Sequence, residues 1–562
     1  MKFTTFSEYH YERPDMEAFC QLLRESEEAF RTAETEEAAL SVFEKVYDAR
    51  KHLDTLRNIC EIRNTLDTAD AYYEEEMNYL YETIPNAELV YQSFSKAVLA
   101  SEFLPALKKV YGELYFERME KLMRLVNEAN VENAVEEKKL VQRYHKTAAQ
   151  PTTEFQGETL NFYGLLKKME DPDREIRKAA LKAWSDLYES ISGELNEIYS
   201  RLIENRIRQA EVCGFEDYTE MMYLAMERFS YDRTDVAKYR EKIRLHIVPL
   251  VEQIYREQQE HLKLDDFYYY DENVTGPDGN PAPHGTTEEL LALAQKMYHE
   301  LSEETGVFFD YCLEHELFDL ETRPRKQQGG YCTMLADMQA PFIFSNFNGT
   351  AADIDVLTHE AGHAFEVFTA LRNGVSYEMA FSTSEVAEIH STSMEYLTYP
   401  WMELFFGEKA EQYRRNHLQE GLRVIPYMAC VDEFQHVVYE KKMTDAEERY
   451  ALWHSLEEKY LPWRSYGENE FLNKGGFWMQ KQHIFMCPFY YIDYSLASVG
   501  AFEYFLKAEK DRKTAWQEYL GLCRAGGSEG YKDLLKLGHL SDPFEESTVK
   551  DICEALKPYV LG

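Results

Sequence analysis

From Asp15 to about Ala149, apolar residues recur at spacings of three and four with few interruptions, as in MEAFCQLLRESEEAFRTA and EEAALSVFEKVYDARKHLDTLRNICEIRNTL. A chain patterned this way buries its apolar stripes as packed helices. Ile84-Pro85-Asn86 and Ala149-Gln150-Pro151 are expected to interrupt them, because proline removes a backbone donor and clashes with the preceding turn. Strand-like alternation follows at Thr152–Phe155 and Thr159–Tyr163, and helical spacing resumes at DPDREIRKAALKAWSDLYESI. These breaks predict a boundary between residues 150 and 165, with an N-terminal helical domain over 1–155 and a larger domain over 156–562.

A length of 562 residues is enough for two to four domain-sized units. Hydrophobic residues at 44% and charged residues at 29% are those of an ordinary globular chain, so neither disorder nor a fibrous repeat is indicated. The 41 tyrosines serve mainly in core and helix-interface packing, with the remainder available to line a cleft. A formal charge of -40 argues against nucleic acid or an anionic membrane as partner, since phosphates need a positive face. The nine cysteines are scattered, with no CxxC pair and an odd total, so they read as reduced thiols rather than a disulfide framework. MKFTTFSEYHYERPD contains no apolar leader, and no apolar run approaches the length of a bilayer span; a cytoplasmic protein is expected. The sequence assigns no oligomeric state.

Two stretches depart from helical spacing. DDFYYYDENVTGPDGNPAPHGTT, residues 265–287, is rich in turn formers and ends in Thr286-Thr287-Glu288-Glu289, the spacing of a capping box for the helix EELLALAQKMYHELSEETG. GGYCTMLADMQAPFIFSNFNGT, residues 329–350, opens on two glycines, alternates like a strand at Phe342–Phe347 and closes on the turn Asn348-Gly349. A small sheet is therefore expected near 329–350, with Phe342–Phe347 as an exposed edge able to pair with an extended peptide.

Directly after it comes VLTHEAGHAFEVFTAL. On a helix, His359 and His363 fall at i and i+4, so both imidazoles leave one face about a turn apart and can supply two legs of a tetrahedral metal site. Glu360 points to the neighbouring face, placed to contact a water at the metal without ligating the ion, which is general-base geometry. Gly362 costs the helix about 1 kcal/mol relative to alanine, a choice better explained by close packing beside a ligand site than by helix stability. A catalytic zinc takes a third protein ligand, and SEVAEIHSTSMEYLTYPW offers Glu385, Glu388, His390 and Glu395, among which spacing alone does not choose. Metal-bound imidazoles usually donate their second N–H to a carboxylate, for which Asp355, Glu385 and Glu395 are candidates. Farther on, His483 is followed by Tyr490, Tyr491 and Tyr494, groups able to donate to the oxygen of a carbonyl under attack.

HEAGH, with the glutamate of VAEIHSTSME 25 residues beyond its second histidine, resembles the thimet oligopeptidase and oligoendopeptidase F family of zinc peptidases, the bacterial Pz-peptidase branch most of all. The similarity extends to Phe342–Asn348, to HIFMCPFYYIDYSLA and to AGGSEGYKDLLKLG, and covers roughly the last 400 residues and, more loosely, the helical N-terminal part. The resemblance implies one zinc per chain held by His359, His363 and Glu388, with Glu360 as the general base. Zinc is the metal preferred by such a ligand set, although cobalt or manganese can occupy one. The family also has a histidine followed by two functional tyrosines three residues apart, a pattern best matched by His483, Tyr491 and Tyr494. Here the interval between histidine and tyrosine is shorter than in thimet-type chains, and Cys487-Pro488 stands in place of a glycine-rich loop, which implies a less flexible lid.

The expectation is a mainly α protein, two helical halves flanking a deep substrate cleft with a small β-sheet beside the HExxH helix. Its expected activity is a zinc-dependent endopeptidase hydrolysing internal bonds of short peptides, Glu360 activating water at the metal. The rivals are a helical metallocarboxypeptidase with the same ligands and a non-catalytic peptide-binding scaffold.

Overall fold

The computed structural model describes residues 5–276 and 279–562; Pro277 and Asp278 of the turn-rich stretch, and the first four residues of the N-terminal segment read above, lie outside the described residues. The chain divides into two compact units, each assembled from three separate segments. Residues 1–128, 282–408 and 507–540 form one; residues 129–281, 409–506 and 541–562 form the other. The turn-rich stretch contains one of the five places where the chain passes from one unit to the other. Both units are mainly helical, and no helix among the described residues is long and apolar enough to cross a membrane.

In the first unit the N-terminal segment supplies helices Met16–Arg31, Glu36–Leu66 and Ala71–Leu99, the first two N-capped by Asp15 and Thr35, whose side chains accept from Ala18 N and Ala38 N. Leu23, Phe30, Phe43, Phe94 and Val98 form their shared core. Pro85 does not end a helix. It lies inside Ala71–Leu99, which packs along its neighbours; this burial outweighs the donor that proline removes. By contrast, the helix Val131–Ala149 of the second unit stops before Pro151, and a hairpin of Thr153–Phe155 and Glu158–Leu160 follows, turned by Gln156 and Gly157 at positive φ. Thr286 and Glu289 form the capping box the sequence predicts, Glu289 N donating to Thr286 Oγ1 and Thr286 N to Glu289 Oε2. The helix it starts ends at Leu301, where Ser302 turns extended and caps the next, Glu303–Glu314.

The small sheet of the first unit has three strands: β1 (Phe318–Glu321), β2 (Tyr331–Leu335) and β3 (Ala340–Phe347). Their order is β1-β3-β2, with β3 parallel to β1 and antiparallel to β2. The segment Phe342–Phe347 is therefore central rather than an exposed edge, and its alternation does not mark one wet face: seven of the eight residues of β3 are buried. The edge next to it is β2, joined to β3 by a tight turn through Gln339 at φ 50°. Two helices complete the arrangement, α1 (Ala352–Arg372), packed on β3, and α2 (Ser384–Leu397), packed on α1.

The second unit is organised on Arg174–Val212, 39 residues long and so about 58 Å from end to end. Tyr199 of this helix meets Trp478, and Phe434 stacks on Trp478, all fully buried. Two arginines pass into this interior: Arg206 and Arg449 are both fully covered and donate to backbone carbonyls and side-chain oxygens, Arg449 through its two Nη atoms.

Phe94 is fully buried between Phe30 and Phe43. Phe94→Ala is expected to lower the stability of the first unit by about 3–5 kcal/mol in denaturant unfolding; a loss below about 1 kcal/mol would contradict this core.

Candidate metal centre and its surroundings

The turn that delivers α1 is fixed by one carboxylate. Asp353 accepts from Asn348 N at 2.9 Å and from Gly349 N at 2.7 Å, and Gly349 supplies the positive φ of 84° that the turn requires. The end of β3 is thereby tied to the first turn of α1, which sets the register of His359 and His363. Along α1 these two imidazoles leave one face, their rings 5.1 Å apart.

The opposing donor comes from α2. Glu388 Oε2 lies 3.2 Å from His359 Nε2 and 3.5 Å from His363 Nε2, and one donor atom from each residue falls within 4.8 Å of the other two. Three ligands at tetrahedral positions, with bonds of about 2.0–2.1 Å, stand about 3.4 Å apart, so this spacing and this set of two nitrogens and one oxygen suit a zinc-sized ion. Of the four residues open as third ligand, the structure brings Glu388 to the pair of histidines.

Gly362 makes this approach possible. A Cβ there would lie 2.6 Å from Ser391 Cα and 2.7 Å from the His390 carbonyl oxygen, so any side chain would push α2 away from α1. Two further groups orient these side chains. Ser391 donates to Glu388 Oε2 at 2.9 Å, and His359 Nδ1 meets Glu395 Oε1 at 2.6 Å; of the three carboxylates considered for that role, Glu395 is the partner. Burial opposes ionisation of Glu388, but His363 and His359 together outweigh it and hold this carboxyl well below the usual carboxylate range.

Glu360 is buried, and burial raises its pKa against the lowering pull of His359 and His363. A Cβ at Gly330 would come within 3.3 Å of its Oε1, so the second glycine of the pair before β2 leaves this carboxylate room.

Beneath the ligands lies a polar layer that sequence reasoning missed. Glu366, one turn beyond His363, is fully buried and accepts from Ser382 N at 2.9 Å and Ser382 Oγ at 2.6 Å. Burial pushes its carboxyl up to about 7 against those two donors. His390, a ligand candidate by sequence, faces this layer instead: its Nε2 is 3.4 Å from Glu366 and its Nδ1 3.4 Å from Cys523 Sγ. Burial, aided by the charge of His363, drives its pKa down to about 3, so it is a neutral core histidine. The signal available in the sequence was the helical spacing of Glu366 behind His363.

The second unit gathers the other group. His483 and Tyr491 have ring centroids 4.9 Å apart, His483 and Tyr494 6.2 Å, and Tyr491 and Tyr494 5.7 Å. Tyr490 is 5.2 Å from Tyr494. Tyr491 opens a helix, which puts Tyr494 on the same face three residues on. Lys481 donates to the Tyr491 hydroxyl at 3.0 Å.

Comparison with known proteins supplies independent findings. A family model described as Peptidase M3 N-terminal domain matches residues 6–126, and one described as Peptidase family M3 matches residues 168–553. Oligoendopeptidase F, chromosomal, of Lactococcus lactis subsp. cremoris is 25% identical over 377 residues, which span 65% of this chain and 60% of that protein. The plasmid Oligoendopeptidase F of the same organism is 24% identical over 537 residues, 88% of this chain and 84% of that protein. Among solved structures, PZ peptidase A with inhibitor 2 is 38% identical with a TM-score of 0.94, covering 99% of this chain and 98% of that one.

Gly362→Ala is expected to weaken zinc binding by about 10- to 100-fold in chelator competition, through displacement of Glu388 and its supporting serine. Unchanged affinity would show that the two helices need not approach this closely.

Proposed function

The chain belongs to peptidase family M3 and is a metalloendopeptidase, and we propose on that premise that it is a zinc oligopeptidase hydrolysing internal bonds of short peptides. The observation that carries the reading is the convergence of His359, His363 and Glu388 within 4.8 Å beside the buried Glu360.

In this reading His359, His363 and Glu388 would hold one zinc ion, which would supply Lewis acidity at the scissile carbonyl. Glu360 takes a proton from the attacking water and returns it to the leaving amine nitrogen. A carboxylate at this position can accept the proton from water and release it to the amine. Glu395 fixes the ring of His359, and Ser391 the carboxylate of Glu388. His483, Tyr491 and Tyr494 bind the substrate and donate hydrogen bonds to its carbonyl oxygen as negative charge develops there. With β3 enclosed on both sides, pairing with an extended peptide falls to an edge strand of the sheet, β1 or β2.

Short peptides are the proposed substrates, without nucleic acid or membrane as partner; the charge of -40 supports that exclusion. All nine cysteines are free thiols, which suits the reducing cytoplasm as the place of action.

Glu360→Gln is the direct test. Zinc content is expected to stay at the wild-type level while kcat falls by about 100- to 10,000-fold; turnover close to wild type would remove Glu360 from the reaction.

A further inference from the structure

The segment from His483 to Tyr494 contains no glycine, yet its backbone passes through the left-handed region at Phe489, φ 66°. A bulky L residue adopts that conformation only where its surroundings impose it. The surroundings of Phe489 do so from three directions. Its ring is fully buried, with His436 at 4.9 Å, Tyr439 at 5.6 Å and Tyr223 at 6.2 Å. Its N–H donates to Gln435 Oε1 at 3.1 Å, and its carbonyl accepts from Arg228 Nη2 at 2.7 Å. The same Nη2 donates to Asp493 Oδ1, also at 2.7 Å, and both side chains of that ion pair are fully covered.

One arginine thus grips the residue before the tyrosines and the residue between Tyr491 and Tyr494. At the upstream end Arg206, equally buried, donates to the carbonyls of Ile484 and Phe485, directly after His483. Taking charges this far from water adds little net stability even when they are paired, so stability alone is a weak reason for building the segment this way. A backbone fixed in advance under the groups that meet a developing charge is a strong one, because preorganised donors need no rearrangement at the moment of reaction.

We propose that Arg228, together with Gln435 and Asp493, is a positioning device that locks Phe489 in its left-handed conformation and so holds Tyr491 and Tyr494 in fixed places before substrate arrives. The proposal rests on the substrate-facing role given above to those tyrosines. It replaces a loop that closes on the substrate with one that is already set, consistent with Cys487-Pro488 standing where a glycine-rich stretch would bend.

The test replaces the ion pair by apolar residues of similar size, Arg228→Met with Asp493→Leu, so that neither charge is left buried alone. Gln435→Leu, an uncharged change that removes the acceptor for Phe489 N–H along with a donor to the Val431 carbonyl of its own helix, serves as the second variant. The double variant is expected to keep wild-type zinc content and thermal stability and to lose about 10- to 100-fold in kcat with little change in KM; Gln435→Leu should show a smaller loss of the same kind. Tyr494→Phe should cost much less in either background than in the wild-type protein, because the tyrosine has already been displaced. Wild-type kcat in both variants, or Tyr494→Phe costs that simply add, overturns the positioning role while leaving the tyrosine assignment standing. An unchanged kcat for Tyr494→Phe alone overturns that assignment and this inference with it.

Discussion

The site depends on how closely two helices can approach. Two histidines on one helix face define only half of a metal site; the remainder must come from elsewhere in the chain, at a distance set by the packing between them. Here that packing is set at Gly362, whose missing Cβ admits the backbone of residues 390 and 391 and so carries Glu388 up to the imidazoles. A glycine in mid-helix costs about 1 kcal/mol of helix propensity. The 21-residue α1, anchored by Asp353 at its start and buried along most of its length, absorbs that cost.

Around this approach the unit places polar groups against one another. Glu395 holds His359 and Ser391 holds Glu388, and Glu366 and Ser382 form a layer below. Buried polar groups are costly unless satisfied, and Glu388 Oε2, His359 Nδ1 and Glu366 Oε1 find partners on the same two helices and on the segment joining them. The ligand geometry is therefore a property of one packed substructure. The His483 group has a different basis: aromatic packing and arginines that hold carbonyls, in a unit built on a single 39-residue helix.

Local features of this architecture were legible in the sequence, and features depending on burial were not. The helices at Met16–Arg31 and Glu36–Leu66, the Thr286–Glu289 box, the strand before HEAGH and the two histidines at i and i+4 are all set by near neighbours, and spacing revealed them. Pro85 misled because helix packing outweighed one lost hydrogen bond. Strand order misled because a run like Phe342–Phe347 reads the same at an edge as in the middle of a sheet. The third ligand was beyond spacing: Glu385, Glu388, His390 and Glu395 share one helix, and only the rotation of that helix against Gly362 distinguishes them, so the choice rested on family resemblance. Arg228 lies more than 250 residues from Phe489 and Asp493, to which it donates, and belongs to no local pattern.

The central claim is that His359, His363 and Glu388 share one zinc ion. X-ray absorption at the zinc edge of the metal-loaded protein tests it most directly. The account predicts one zinc per chain with two imidazole nitrogens and carboxylate oxygen at about 2.0–2.2 Å and no sulfur neighbour. A sulfur shell at about 2.3 Å, or a spectrum with a single imidazole, would contradict it.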